Sequence, residues 1–365
     1  MAKEELTPMM KQFHDLKAKH PDAVLLFRCG DFYETYCSDA VTASQVLGIT
    51  LTRRNNKGSQ AATEMAGFPY HAVETYLPKL VRAGQRVAIC EQLEDPKLAK
   101  GLVKRGVIEL VTPGVVLGDN ILPSKENSFL AAVYFGKRTA VAFLDISTGE
   151  FYVAEGDDAY IDKLLASLAP KEVLYQRSMA DRFQDTFGSR FYTYRLDDWI
   201  FSSELNYDKL CKQFSTPSLK GFGVEAMADG IAAAGAILYY LEFTEHRSIS
   251  HIASISRIDN DESVWIDKFT IRNLELFPQG DGGKRSFVEV VDRTLTPMGG
   301  RMLRSWLEKP LLDPVQISRR HSAVQELVDC PIIRGELEQA LKHVTDLERV
   351  MARVSGGTVN ARDLL

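Results

Sequence analysis

The hydrophobic pattern changes texture twice along the chain. Up to residue 111, helix and strand signals alternate. Thr7-Pro8 supplies a cap and a first-turn proline, and Met9, Phe13 and Leu16 then recur at helical spacing as far as Pro21. The apolar run Ala23–Cys29, closed by Gly30-Asp31, predicts a strand. Ser38–Val46 predicts a helix stopped by Gly48, Ile49–Arg53 a further strand, and Arg54–Thr63 a polar loop. His71–Ala83 is helical in pattern, with Pro78 predicting a kink or break. Arg86–Glu91 and Val107–Val111 complete a mixed, helix-flanked sheet.

Turn-forming residues from Thr112-Pro113-Gly114 to Pro123-Ser124 predict a linker. Beyond it, Phe129–Tyr134, Thr139–Asp145 and Glu150–Ala154 are strand-like runs joined by turn residues, the pattern of an antiparallel meander. Helix and strand then alternate through Tyr160–Leu168, Glu172–Tyr175, a polar segment and Phe191–Tyr194, and a long helix follows near Val224–Glu242. A meander followed by β/α units is the order of an RNase-H-like α/β domain. After His246–His251, short strand-like pieces near Ser254–Ile258 and Val264–Ile266 give way to helical text: Asp292–Lys309, Asp313–Leu327, Ile332–Leu341 and Val344–Arg353. Asn360 reads as the cap of a helix that Ala361–Leu365 leaves unfinished, so the pattern predicts a longer parent protein.

With 365 residues, two to three domains are expected at roughly 150 residues each. A composition of 45% hydrophobic and 25% charged residues excludes a disordered or fibrous chain. The net charge of −5 means that any nucleic-acid contact has to come from a local basic face. Five scattered cysteines without a C-x-x-C pair favour a reducing compartment, and the polar N-terminus is unlike a signal peptide. No G-x-x-x-x-G-K-[ST] is present; in the nearest text, Gly280-Asp281-Gly282-Gly283-Lys284-Arg285, Pro278 stands at the required first glycine and the segment reads as a turn.

Two constellations could carry chemistry. Asp145, Glu150, Asp157 and Asp158 are the carboxylates an RNase-H-like metal nuclease would need. Glu150, however, falls at a hairpin turn and Asp157-Asp158 where a helix needs its cap. The second is Gly30-Asp31-Phe32-Tyr33-Glu34-Thr35-Tyr36, directly after a buried-looking strand. A Phe at a strand exit is by default a core residue. Beside it, however, Thr52-Arg53-Arg54-Asn55-Asn56-Lys57 offers three positive charges, and Met65-Ala66-Gly67-Phe68-Pro69-Tyr70-His71 reads as an apolar, glycine-containing loop. Apolar wedges next to basic residues suit the DNA minor groove.

The ordered motifs G-D-F-Y-E, L-T-R-R, M-A-G-F-P-Y-H-A, A-I-C-E-Q and V-T-P-G resemble the N-terminal mismatch-binding domain of the MutS family of DNA mismatch-repair proteins. The similarity continues through Leu144–Phe151, like the family's connector domain. It reaches Arg272–Leu276 and Thr296–Leu303, like the start of its core, or lever, domain. The resemblance implies a multidomain α/β plus α protein. Its parts would be a mismatch-binding domain over 1–111, a linker over 112–126, an RNase-H-like connector over 127–250 and the truncated start of a helical core/lever domain over 251–365. It further implies that Phe32 stacks on the mispaired base, that Glu34 hydrogen-bonds that base, and that Arg53, Arg54, Met65, Gly67, Tyr70 and His71 meet backbone and groove. Tyr36 departs from the family, where Phe is frequent, and Glu64 places an acid just before Met65.

For the parent, the resemblance implies ATP and Mg²⁺, a homodimer, mismatched double-stranded DNA as ligand, a MutL-like partner engaged through the connector, and a cytoplasmic, nucleoid-associated location. No cofactor, metal or catalytic residue is expected in these residues. A protein-binding adaptor without DNA recognition and a metal nuclease remain the alternatives.

Overall fold

The computed structural model describes residues 7–54, 62–98, 101–116, 122–246, 248–258, 263–264, 266, 268–278, 285–357, 359 and 361. The chain divides into two compact units, Met1–Ile121 with Leu241–Arg247, and Leu122–Tyr240 with Ser248–Leu365.

In the first unit, helix α1 (Pro8–Lys17) starts where the Thr7 hydroxyl accepts from the Met10 amide at 3.4 Å. The strands are β1 (Ala23–Cys29), β2 (Phe32–Tyr36), β3 (Thr52–Arg54), β4 (Thr63–Pro69), β5 (Arg86–Gln92) and β6 (Arg105–Val111), with helices α2 (Cys37–Leu47) and α3 (Val73–Arg82) between them. They form one sheet in the order β3-β4-β2-β1-β5-β6, in which only β1 and β5 run parallel. Its core joins Met10 and Phe13 of α1 to Leu25, Phe27, Tyr36, Ala88, Cys90 and Leu110.

Three sequence expectations change here. The text Met65–Pro69, read as a loop, is the body of β4: Ala66 and Phe68 are buried and alternate with half-buried Met65 and Gly67. Gly67 and Pro69 disguised a period of two. The strand expected over Ile49–Arg53 is confined to Thr52–Arg54. Helix α3 runs through Pro78, because burying Pro78, Leu80 and Val81 on one face offsets the one backbone bond that proline forfeits. Residues 55–61 of the expected polar loop lie outside the described residues.

The second unit carries the expected meander, β7 (Leu130–Phe135), β8 (Thr139–Asp145) and β9 (Glu150–Gly156), all antiparallel. Helix α4 (Asp158–Leu168), strand β10 (Glu172–Gln176), helix α5 (Ala180–Phe187) and strand β11 (Thr193–Leu196) follow. Next come helix α6 (Ser203–Gln213), helix α7 (Ala228–Phe243) and the two-residue strand β12 (Ser256–Arg257). The sheet order is β11-β10-β7-β8-β9-β12, with β10 and β11 parallel to β7, the arrangement of an RNase-H-like sheet. Helices α5 and α6 occupy stretches whose polar text hid them; α5 is fixed by Phe183, which stacks on Tyr175 at 4.2 Å between centroids.

The helical remainder of this unit comprises α8 (Lys268–Asn273), α9 (Phe287–Val291), α10 (Pro297–Glu308), α11 (Pro314–Asp329), α12 (Pro331–Leu341) and α13 (Leu347–Gly356). In place of a strand over Val264–Ile266, Ser263 makes an isolated bridge to Leu311, and Trp265 lies outside the described residues. Residues 122–126 of the expected linker are tightly held. The buried Arg301 guanidinium donates to Ser124 O at 2.8 Å and forks onto Asp346, and Arg349 donates to the carbonyls of Pro123 and Glu126 at 3.0 and 2.8 Å. Pairing with Asp346 and Glu348 outweighs the burial of Arg301 and holds its ionisation above the ordinary arginine value. Among the described residues, no helix is long and apolar enough to cross a membrane.

Candidate nucleic-acid interface

The site is built from β1 and β2. Cys29 pairs with Phe32 across a two-residue turn in which Gly30 adopts φ +57°, the glycine-first pattern of a II′ hairpin. This turn starts β2 at Phe32, and alternation along the strand then puts Phe32, Glu34 and Tyr36 on one face and Tyr33 and Thr35 on the other. The core closes over Tyr36 with Met10 and Phe13 but leaves Phe32 47% exposed. Strand β4 lies alongside, with Phe32 opposite Pro69, Glu34 opposite Gly67 and Tyr36 opposite Met65.

An open groove of about 520 Å³ runs past this face, lined by Phe32, Glu34, Gly48, Ile49, Thr50, Thr52, Met65 and Gly67. Four residues singled out from the sequence, Phe32, Glu34, Met65 and Gly67, thus meet in one place. Gly48–Thr50 and Thr52 were missed; their signal was the helix-stopping Gly48, φ +69°, which turns the chain across the groove. Gly67 is needed for space: a Cβ there would stand 2.8 Å from Tyr33 O and 3.4 Å from Glu34 Cγ.

Of the remaining predicted residues, Arg53, Tyr70 and His71 are not among the groove's described lining. Arg53 is exposed on β3, opposite Glu64 of β4, so its charge has an acid as cross-strand neighbour. Arg54 ends β3, and its side chain lies outside the described residues. Tyr70 and His71 are exposed on a single 3₁₀ turn, Tyr70–Ala72, anchored where the Tyr70 amide donates to Asp31 O at 2.9 Å. Tyr70 is backed by the Arg28 guanidinium, 3.7 Å from its ring centroid, and Arg28 pairs with Glu91 at 3.2 Å. Neither Arg28 nor Glu91 was singled out from the sequence.

Two tyrosine hydroxyls point at carboxylates here: Tyr36 donates to Glu34 and Tyr33 to Glu91. Burial, reinforced by these bonds, lifts both phenols far above the ordinary tyrosine range, so each stays a donor at any working pH. The Cys29 thiol beside them is pushed up to about 11 by burial and by the charge of Glu34, and so stays protonated. The groove therefore offers a flat exposed ring, a held carboxylate, two threonines and apolar walls. It holds no nucleophile with a matching base.

The carboxylates of the second unit have structural work. Asp145 is fully buried and accepts from Asn127 Nδ2, Ser128 N, Ser147 N and Ser147 Oγ at 2.7–3.0 Å. Asn127 also donates to Glu150. Asp157 caps α4 by accepting from Tyr160 N at 2.7 Å, and Asp158 accepts from Thr139. Among the described residues, no three such groups gather where a metal could bind. Residues 280–284, part of the expected turn, lie outside the described residues.

A mixed sheet with an exposed aromatic beside a groove, followed by an RNase-H-like unit and helices, defines a multidomain α/β plus α protein. Comparison with known proteins agrees in family and in order. The descriptions MutS domain I, MutS domain II and MutS domain III match residues 7–120, 128–253 and 269–365. The chain belongs to the MutS family. It is 55% identical to the DNA mismatch repair protein MutS of Phocaeicola vulgatus over 99% of its own length and 41% of that protein's. Over 98% of its length it is 55% identical to that of Bacteroides fragilis and 51% identical to that of Flavobacterium psychrophilum, covering 41% and 42% of those proteins. The chain thus spans about two fifths of the length of these relatives.

Proposed function

We propose that this chain recognises mispaired or looped bases in double-stranded DNA from the minor groove, as the reading part of a mismatch-repair protein. One observation carries the reading: Phe32 lies on the face of β2 whose far end is core, yet its ring stands half exposed on a groove beside Glu34. A paired step resists kinking by about 1–6 kcal/mol, while a stacked aromatic recovers about 1–3 kcal/mol. The ring alone leaves sound DNA straight and tips a softened, mispaired step into the bent state. That mechanical test suits many mispairs, whose hydrogen-bonding edges the minor groove displays poorly.

Glu34 sharpens the test by repulsion. A carboxylate beside paired DNA meets phosphate charge without compensation, whereas an extruded base presents an N–H that it can accept. Arg53, Arg54, Tyr70 and His71 hold the flanking backbone, at the edges of the groove. The connector passes the bound state to an ATPase, with its ATP and Mg²⁺, outside these residues, and to a MutL-like partner. The parent works as a homodimer in the cytoplasm, associated with the nucleoid.

The test is a gel-shift comparison of duplexes with and without one mispair. Phe32→Ala removes the preference for the mispair, at least tenfold, while shifting the melting temperature by no more than about 2 °C. Preference retained in Phe32→Ala, or a large drop in melting temperature, returns Phe32 to a purely structural role. Glu34→Gln strengthens binding to the paired duplex at matched salt; unchanged affinity refutes the repulsive role.

A further inference from the structure

Strand β2 holds a third residue on the face that carries Phe32 and Glu34. Tyr36 is only 1% exposed, packed edge-on against Phe13 and Phe27 with ring centroids 5.0 and 6.5 Å away. Such packing needs a ring and no hydroxyl, and a buried hydroxyl without a partner is costly. This one leaves the apolar packing and donates to Oε2 of Glu34, with Cys29 Sγ 3.8 Å from the Tyr36 hydroxyl oxygen. Across β4, the missing side chain of Gly67 gives the Glu34 arm its room, with an added Cβ only 3.4 Å from Glu34 Cγ. The glutamate is thereby gripped from the core on one side and confined by the neighbouring strand on the other.

We propose that Tyr36 is a positioning residue for mismatch discrimination: its hydroxyl fixes the Glu34 carboxylate in one orientation at the groove wall. The base then meets a preset acceptor instead of a mobile arm. This rests on the reading of Glu34 as the contact to the base. A glutamate is among the side chains that lose most rotamer freedom on ordering, so fixing it before DNA arrives moves that cost from binding to folding. The donor cannot reverse, because the Tyr36 phenol keeps its proton throughout the working pH range.

The test measures, by fluorescence anisotropy at one fixed salt concentration, how the 365-residue chain prefers a duplex with one G·T mispair over its paired counterpart. Tyr36→Phe, Glu34→Ala and the double variant are compared, with Phe32→Ala alongside. Tyr36→Phe is expected to keep the melting temperature within about 2 °C and to lower the preference about three- to tenfold, with no further loss once Glu34 is Ala. The same loss on top of Glu34→Ala overturns the proposal, because it then comes from the core. If Phe32→Ala abolishes the preference while Tyr36→Phe matches the unaltered chain, the functional reading stands and the Tyr36 assignment falls. If neither moves it, the functional reading falls first. Without DNA or any change to Tyr36, NMR of tyrosine-labelled protein should show a slowly exchanging Tyr36 hydroxyl proton that vanishes in Glu34→Ala. Its absence from the unaltered chain also overturns the proposal.

Discussion

Each unit has a carboxylate on an inner strand of a six-stranded mixed sheet, and the two are handled in opposite ways. In the second unit, β8 is buried along its whole length, and Asp145 at its end is enclosed by four donors from Asn127, Ser128 and Ser147. In the first unit, β2 passes from core to solvent over five residues, and Glu34 accepts from the Tyr36 hydroxyl while lining a groove. The difference separates an acid that organises a turn from an acid left open along a groove. Burial with saturated hydrogen bonding leaves no capacity for chemistry.

Asp145→Ala is the most damaging of the substitutions that separate the two acids. It strands several buried donors at once, at about 1–3 kcal/mol each, so the second unit loses about 3 kcal/mol or more in urea unfolding. Glu34→Ala takes the acceptor from a single buried hydroxyl, that of Tyr36, and costs about 1–2 kcal/mol. Equal losses from the two substitutions would erase the distinction. Next in size is Gly67→Ala, whose Cβ would press within 2.8 Å of Tyr33 O. It is expected to cost about 1–3 kcal/mol and to reduce mismatch preference as well, since β4 has to shift away from Glu34. A neutral effect on both would show that the groove has slack.

The smallest effect sharpens the electrostatic side. Glu308 on α10 is raised to about 7, chiefly by burial with help from Glu150 and Glu126, against Lys309 and Arg304. A carboxyl raised on folding contributes stability that is complete at acid pH and is lost as pH rises through the folded value. Between about pH 5.5 and 8 the second unit therefore loses roughly 1–2 kcal/mol through this group. Glu308→Gln should flatten that part of the pH–stability profile, and an unchanged slope would assign it to other groups.

What the sequence revealed follows from how local each signal was. Strand β1 was legible residue for residue because its apolar run ends at Gly30-Asp31, and the β7–β9 meander because turn residues separate its strands. Gly48 ended α2 as its left-handed conformation requires. Strand β4 was obscured because the glycine that makes room for Glu34 is also a loop signal. Helices α5 and α6 were obscured because a few buried residues, such as Phe183 and Phe187, anchor otherwise polar text. Phe32 and Glu34 could be picked out by their neighbours. The Arg28 plate under Tyr70 and the Tyr36 grip on Glu34 are products of folding, joining side chains whose types alone predict ordinary surface and ordinary core.

The two-residue turn at Gly30-Asp31 sets a parity rule for the whole interface. Because side chains alternate strictly along β2, a one-residue slip of its pairing with β1 would exchange the two faces. Tyr33 and Thr35 would then face the groove, and the ring and its acid would turn toward the opposite side. A longer turn would keep the faces as they are only if Cys29 still paired with Phe32. Through the pairing it fixes, the glycine turn decides which side chains of β2 line the groove.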